Sequence, residues 1–312
     1  MKTVRRLITV AVTLVFADIA NGQEWNQWRG PQRDGSVSDV VVPKTWPESY
    51  KSAWETEIGE GYSSPVVDAN AVYIHSRIDP EEIVTAVDLK TGKAKWLKKY
   101  PASFNKNQYA KDMAKGPNAT PLIADGRLFT IGVTGILTAW DSESGQQLWR
   151  NDYSKFVDTS KLFCGTSASP LIEEGRLIVQ VGSDVHGGQV LALNPADGSE
   201  IWKWTGTGPG YASPIVIELE HVKQLVTLTD SSIIGIDAAT GNELWTLPFP
   251  DEWQENIVTP LWTGELLVIS GTRQGTHAYR LELDNSNWKA IQAWENREVA
   301  MYMSSPDRKS VV

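Results

Sequence analysis

Short apolar runs separated by turn residues fill most of the 312-residue chain. The runs at residues 127–131 and 136–140 are rich in β-branched and aromatic residues, and glycine- or serine-containing turns bound them. A length of about five residues is typical of strands, whereas helices need ten or more. The pattern therefore predicts an all-β protein.

A spacing of turn and tryptophan residues repeats four times. An Asp or Asn is followed four positions later by Gly and four positions after that by Trp: Asp88, Gly92 and Trp96; Asp141, Gly145 and Trp149; Asn194, Gly198 and Trp202; Asp237, Gly241 and Trp245. Glycine can take the positive φ that a tight turn requires. A tryptophan on the outgoing strand can fill the space between neighbouring sheets. We therefore interpret these twelve residues as structural.

A hydroxyl residue followed by proline forms a second landmark. The six pairs are Ser64-Pro65, Thr120-Pro121, Ser169-Pro170, Ser213-Pro214, Thr259-Pro260 and Ser305-Pro306. Proline can begin a strand without interrupting its ladder, and we expect the hydroxyl to cap backbone groups at the strand start. Successive pairs lie 44 to 56 residues apart, close to the length of a four-stranded propeller blade. Each repeat thus predicts four strands: Pro-led, central, Asp-ended and Trp-bearing.

These residues resemble the PQQ-like β-propeller repeat, whose pattern A-x-D-x-x-T-G-x-x-x-W is matched throughout by residues 86–96. The resemblance covers about residues 54–306 and implies a fold of the WD40/quinoprotein-like superfamily. The opening Trp-Asn-Gln-Trp-Arg-Gly-Pro at residues 25–31 is similar to the start of small secreted bacterial members. The propeller lipoprotein of the outer-membrane β-barrel assembly machinery is a relative by fold.

The expected architecture is a β-propeller of four-stranded blades with five full repeats. Residues 52–59 form a Trp-bearing segment that we predict to be an N-terminal closing strand, and a sixth repeat starts at residues 302–306 before the pattern is lost. This favours an incomplete seven- or eight-bladed ring. The alternatives are a closed five-bladed ring, or an open arc that pairs with another chain through its edge.

The first residues favour export. Lys2, Arg5 and Arg6 precede the apolar residues 7–17, and small residues at 20–22 suit a cleavage site. We therefore predict a signal peptide at 1–22, a lead segment at 23–50 and the propeller at 51–312; an uncleaved N-terminal anchor is the alternative. The apolar run is too short to span a bilayer, so no transmembrane segment is expected after cleavage.

Cysteine content and charge narrow the localisation and the partners. The single Cys164 lies far from the cleavage site, so we expect a periplasmic or secreted bacterial protein that is not a lipoprotein. One cysteine also excludes an intramolecular disulfide. A net charge of −9 disfavours nucleic acid as a partner.

Two functions remain open. The first is a non-catalytic scaffold or binding module for a protein, peptide or glycan of the cell envelope, because loops on a rigid propeller suit recognition. The second, implied by the resemblance, is a quinoprotein dehydrogenase that holds pyrroloquinoline quinone (PQQ) beside calcium, which needs oxygen ligands and an aspartate base. The chain lacks the adjacent cysteines and the C-x-x-C-H motif of the larger enzymes, and its four histidines have no metal-ligand spacing. We therefore expect no cofactor and favour the non-catalytic function.

The candidate ligand-facing residues are Tyr62, Asn118, Ser167 and Tyr211, each three positions before a landmark proline. We expect them at the mouth of the innermost strands, around a central funnel. Residues 98–115 form a long connection with five lysines and three aromatics that could contact an anionic or sugar-bearing partner, or could be a solvated loop. Residues 152–158 resemble it more weakly.

Overall fold

A computed structural model describes residues 24–37, 43–68, 70–157, 163–183 and 185–306. The predicted signal peptide at 1–22 lies outside these residues. The described chain forms five four-stranded antiparallel sheets, each built from four consecutive strands, and two short 3-10 turns at Gln108–Ala110 and Ser154–Phe156. This confirms the all-β propeller prediction. Within the described ranges, no helix is both long and apolar enough to cross a bilayer.

The strands follow the landmarks in the order that the sequence predicts. Blade 1 comprises β1 Val66–Val67, β2 Ala71–Ile78, β3 Glu81–Asp88 and β4 Ala94–Pro101. Blade 2 comprises β5 Leu122–Ala124, β6 Arg127–Ile131, β7 Ile136–Asp141 and β8 Gln147–Asp152. Blade 3 comprises β9 Leu171–Glu173, β10 Arg176–Ser183, β11 Gly187–Leu193 and β12 Glu200–Gly206. Blade 4 comprises β13 Ile215–Leu219, β14 Val222–Leu228, β15 Ser232–Asp237 and β16 Glu243–Pro248. Blade 5 comprises β17 Leu261–Trp262, β18 Leu267–Gly271, β19 Gly275–Asp284 and β20 Asn287–Asn296.

Each repeated turn is closed by the side-chain oxygen of its own Asp or Asn. In blade 1 the Gly92 N–H donates to the Asp88 carbonyl at 2.8 Å, and Asp88 Oδ1 accepts the Thr91 N–H at 2.8 Å. The four turn glycines have φ between +66° and +79°, where other residues are strained. The spacing in the sequence is therefore the signature of a locally stabilised hairpin.

Tryptophan joins blade 1 to blade 2, blade 2 to blade 3 and blade 3 to blade 4. The indole of Trp96 lies against Gly145, so that a Cβ there would come within 2.6 Å of the ring, and its Nε1–H donates to the Ser142 carbonyl at 3.0 Å. The same donation links Trp149 to Pro195 at 3.0 Å and Trp202 to Ala238 at 3.1 Å. The receiving carbonyl always follows the turn Asp or Asn. The repeat therefore encodes both sides of one joint, the ring of one blade and the turn of the next.

In each blade, a small residue followed by a β-bulge lies opposite the tryptophan. The residue opposite the ring across the hairpin is Ala or Gly, and the register shifts directly after it: Ala86 opposite Trp96, Ala139 opposite Trp149, Ala192 opposite Trp202, Gly235 opposite Trp245 and Ala278 opposite Trp294. Blade 5 thus has the same position, which the spacing pattern missed because its hairpin is longer. Trp294 is 43% exposed, whereas the other four are 5 to 9% exposed.

The predicted closing strand differs from the structure. Residues 52–59 belong to no strand, because no neighbouring strand of the described chain offers them a ladder. Trp54 nevertheless makes the repeated joint, with its ring against Gly92 and its Nε1–H donating to the Leu89 carbonyl at 2.9 Å. Trp54 therefore makes the contact expected of a repeat tryptophan, but residues 52–59 do not form the predicted closing strand.

Candidate functional site

A cavity of about 460 Å³ lies where the inner strands of the blades begin. Its wall carries the residue three positions before each landmark proline: Tyr62, Asn118, Ser167, Tyr211, Ile257 and Met303. The first four are the candidates from the sequence, and the structure brings all four together; their facing a ligand stays a prediction. Sequence reasoning missed Ile257 and Met303, although the same offset from proline identifies them.

Hydrogen bonds between neighbouring blades hold this wall in place. The Ser64 N–H donates to Thr120 Oγ1 at 3.2 Å, the Thr120 N–H to Ser169 Oγ at 2.9 Å, and the Ser169 N–H to Ser213 Oγ at 2.9 Å. The hydroxyls of Thr120, Ser169 and Ser213 therefore cap backbone groups at strand starts, but on the preceding blade rather than on their own. These bonds connect the inner strands of blades 1 to 4 around the central channel of the propeller. They therefore fix the positions of the lining residues relative to one another.

Aromatic side chains from other segments complete the wall. Trp28, Tyr109, Phe163, Trp253 and Tyr302 line the same cavity. Tyr109 and Phe163 meet edge to face with ring centroids 6.3 Å apart. Tyr109 comes from the first long connection and is 72% exposed, so it lies at the mouth. The wall is thus rich in aromatic side chains.

The two long connections contribute less surface than their composition suggests. Residues 98–101 belong to β4, and Tyr100 and Phe104 are buried in the protein. Of the three aromatics noted in the sequence, only Tyr109 reaches the cavity, because the other two pack inward. In the second connection, the described residues 152–157 contain a single 3-10 turn, and none of them lines the cavity.

The lead segment crosses the channel beneath the cavity. Trp25 pairs with Val67 of blade 1 through two backbone hydrogen bonds of 2.9 Å, and the Asn26 carbonyl accepts the Ile123 N–H of blade 2 at 2.8 Å. Trp28 lines the cavity and its Nε1–H donates to Thr259 Oγ1 at 3.4 Å. The segment therefore contacts three blades from inside the channel.

Arg33 anchors the C-terminal part of the lead segment to blades 3 and 4. Its guanidinium donates to the Pro214 carbonyl at 3.1 Å, the Pro170 carbonyl at 3.0 Å and the Gln27 side chain at 3.2 Å. Burial and the nearby Arg29 lower the pKa of Arg33 from its ordinary value to about 9, so the group stays charged at neutral pH. Carbonyl oxygens compensate this buried charge.

Glu255 is the one carboxylate on the cavity wall, and it is already paired. Arg273 donates to Glu255 Oε2 at 3.0 Å and to Asp251 at 2.9 Å, and Tyr302 donates to Glu255 Oε1 at 2.9 Å. Burial and this hydrogen bond raise the pKa of Tyr302. No lysine or arginine lines the cavity within the described chain. The wall therefore presents little free charge.

Cys164 lies on the wall as a protonated thiol. Burial raises the pKa of Cys164, and its Sγ lies 3.7 Å from the Met113 sulfur. A thiol with a raised pKa is a weak nucleophile at neutral pH. The geometry does not indicate a catalytic cysteine.

A buried charged network lies away from the cavity, between blades 1 and 2. Glu82 accepts the Tyr100 hydroxyl at 2.7 Å and the Val133 N–H at 2.9 Å, and its Oε2 lies 3.6 Å from His75 Nε2. Burial alone would raise the pKa of Glu82, but the hydrogen bonds from His75, Tyr100 and Val133 lower it. This network ties one blade to the next, and none of these four residues lines the cavity described above.

The wall does not fit PQQ with calcium. Calcium requires several oxygen ligands, often carboxylates, and no group of three or more His, Cys, Asp or Glu residues within the described ranges is placed to hold a metal ion. The single wall carboxylate is committed to Arg273, and the wall offers an anionic quinone no cation. The donor set disagrees with that of a quinoprotein site.

Five four-stranded blades around a central cavity, the first four joined by tryptophan, define a β-propeller protein of the PQQ-repeat class. A family model described as outer membrane protein assembly factor BamB matches residues 105–311, about two thirds of the chain. The chain therefore belongs to this family.

Individual relatives agree with the assignment. BamB of Yersinia pestis is 24% identical over 257 residues, covering 81% of this chain and 58% of the relative. Quinohemoprotein alcohol dehydrogenase ADH IIB of Pseudomonas putida is 29% identical over 196 residues, covering 55% of this chain and 28% of the relative. The chain thus spans less than two thirds of the length of either relative.

Solved structures share the fold. BamB from Moraxella catarrhalis has a TM-score of 0.51 at 17% identity, covering 74% of this chain and 59% of that one. Quinohemoprotein alcohol dehydrogenase from Comamonas testosteroni has a TM-score of 0.58 at 17% identity, covering 88% of this chain and 49% of that one. At these identities the likeness shows the fold alone.

Proposed function

We propose that this protein is a non-catalytic propeller of the bacterial cell envelope, periplasmic or secreted, that binds a protein, peptide or glycan through its central cavity. One observation carries the proposal. The six equivalent positions before the landmark prolines converge on one aromatic-rich cavity, and the one carboxylate and one thiol that the described residues place on its wall are not arranged for catalysis. Concave, mainly apolar sites on a rigid scaffold are typical of binding.

The relatives support a partner in the envelope. Several of them carry the name outer membrane protein assembly factor BamB, including those of Yersinia pestis and Vibrio cholerae. A protein or peptide partner is therefore the first candidate, and an envelope glycan is the second.

Site-specific photocrosslinking tests this function. The photoreactive residue p-benzoylphenylalanine replaces Tyr62 on the cavity wall or, as a control, Leu148, which is exposed on β8 outside the cavity. After irradiation of intact cells, mass spectrometry identifies the adducts. We expect a defined envelope protein or glycan adduct from position 62 that position 148 does not give. Equal labelling from both positions, or none from position 62, would count against a cavity ligand.

A quinoprotein dehydrogenase is the second candidate, because quinohemoprotein alcohol dehydrogenases are among the relatives and structural neighbours. The wall residues argue against it, as described above. Titration with PQQ and calcium, followed by absorbance and dye-linked alcohol or sugar oxidation, separates the two functions. We expect neither uptake nor oxidation; stoichiometric calcium-dependent binding with turnover would replace the binding-module proposal.

A further inference from the structure

Most polar side chains on the cavity wall are already hydrogen-bonded within the protein. Asn118 Nδ2 donates to the Cys164 carbonyl at 2.8 Å and to Ser167 Oγ at 3.1 Å, and the Ser167 hydroxyl donates to the Gly165 carbonyl at 3.1 Å. Ser169, Ser213 and Thr259 accept backbone or indole N–H groups. A hydroxyl-rich ligand such as a sugar would compete with these bonds or leave some of its own groups unpaired, and an unpaired buried polar group weakens binding.

The charge of the wall also restricts the ligand. Glu255 is its one charged residue within the described chain, and Arg273 neutralises it from outside the lining. An anionic ligand would meet no lysine or arginine among the described residues that line the wall, and it would enter a protein with a net charge of −9. The wall therefore suits an uncharged, apolar group.

The lower part of the same channel shows what kind of chain fits there. The lead segment lies in it as a peptide, held by backbone hydrogen bonds from Trp25 and Asn26 to β1 and β5. Trp28 of that peptide reaches the cavity wall with its ring. The channel thus already accommodates a polypeptide that inserts an aromatic side chain, and the cavity is the unfilled space beside it.

From these three observations we infer that the cavity binds an uncharged peptide segment of another protein, through one or two aromatic or long aliphatic side chains. The inference rests on the proposed binding function and specifies its ligand. A volume of about 460 Å³ falls within the range of pockets that enclose small ligands. Rigid aromatic walls suit such anchors because little side-chain entropy is lost on binding.

Calorimetry with defined probes tests the inference on the full chain. The probe is the capped decapeptide acetyl-GSGWLGFSGS-amide, and its polar counterpart is acetyl-GSGNSGTSGS-amide. Chitotetraose represents glycans, and decyl maltoside below its critical micelle concentration represents acyl chains. We expect the aromatic peptide to bind at least tenfold more tightly than each of the other three, with a negative heat-capacity change from burial of apolar surface.

Substitutions on the wall locate the binding. Ile257→Asp places a charge at one of the six equivalent positions, and we expect it to weaken binding of the aromatic peptide at least tenfold. Ile201→Asp adds the same charge on the exposed face of β12, outside the cavity, and this control should stay within twofold of the wild type. Circular dichroism and thermal unfolding show that each variant is folded.

The outcomes separate this inference from the proposed function. Chitotetraose or the polar peptide binding as tightly as the aromatic peptide, and losing affinity in Ile257→Asp, would leave the cavity as a binding site but overturn the peptide chemistry. Tighter binding of decyl maltoside would overturn it in favour of acyl chains. Aromatic-peptide binding that Ile257→Asp does not weaken would place the peptide elsewhere and reject the inference. No binding by any probe also rejects it, whereas the crosslinking at position 62 decides the function independently.

Discussion

The joint between blades can be tested by adding one methyl group at two glycines of blade 2. Gly145 has φ +68°, and a Cβ there would lie 2.6 Å from Cδ2 of Trp96 and 2.8 Å from Cε3. Gly126 has φ +71°, and a Cβ there would meet nothing within 4 Å. Both alanine variants therefore carry the same backbone strain, and only Gly145→Ala also disturbs the joint.

The free-energy costs of backbone strain and of the clash with the Trp96 ring can be estimated separately. An alanine at positive φ costs about 1 to 2 kcal/mol, partly offset because alanine makes the unfolded chain less flexible. Overpacking at a fixed ring adds about 1 to 3 kcal/mol. We therefore expect Gly126→Ala to lower the free energy of unfolding by about 1 kcal/mol and Gly145→Ala by about 2 to 4 kcal/mol.

Urea unfolding of both variants, followed by circular dichroism and by tryptophan fluorescence, measures this difference. An unchanged dependence on denaturant shows that the midpoint reports stability. A double-mutant cycle with Trp96→Leu adds a second check, since without the indole Gly145→Ala should cost no more than Gly126→Ala. Equal costs for the two alanine variants in the wild-type background would refute the idea that the ring and the turn form one joint.

Three further predictions address other contacts. Trp202→Ala should lower the free energy of unfolding by about 3 to 5 kcal/mol in the same urea assay. Trp294→Ala should lower it by less than half as much, because the Trp294 ring is 43% exposed. Similar losses for the two variants would contradict this difference in packing. Arg33→Met leaves the carbonyls that it binds without a donor, so limited proteolysis should cut the lead segment faster than in the wild type, and an unchanged cleavage rate would speak against its anchoring role. The lowered pKa of Glu82 means that its stabilising contribution is complete above the ordinary value of 4.5 and is lost as the pH falls through the folded-state pKa. Glu82→Gln should therefore flatten the loss of stability below pH 5 in acid-unfolding curves, and a parallel acid limb would show that other groups control it.

Local chemistry explains why so much of the fold was predictable from the sequence. The turn at Asp88 is closed by bonds within five residues of chain, so its spacing is visible in the sequence. Because the same unit recurs, one offset from proline placed Tyr62 and Tyr211 on one cavity wall, and it would also have placed Ile257 there.

Other features depend on distant or irregular contacts. The position of Trp294 escaped detection because the β19–β20 hairpin is longer than the others and lacks the glycine turn. The loop aromatics Tyr100 and Phe104 were indistinguishable from surface residues by composition, since their burial depends on neighbouring segments. The path of the lead segment at residues 24–37 could not be predicted, because a single segment that crosses the channel has no repeating pattern in the sequence.

The long-range contacts of the lead segment affect the order in which the molecule assembles. Trp28 contacts Thr259, 231 residues away, and Arg29 donates to the Pro306 carbonyl, 277 residues away. Such contacts close the longest loops in the chain, and the entropy of closing them must be offset before they stabilise anything. During synthesis the segment leaves the ribosome before the five blades, whereas Thr259 follows blade 4 and Pro306 follows blade 5. The segment is therefore made before the blades but fixed only after them, and its docking reports that all five blades are in place.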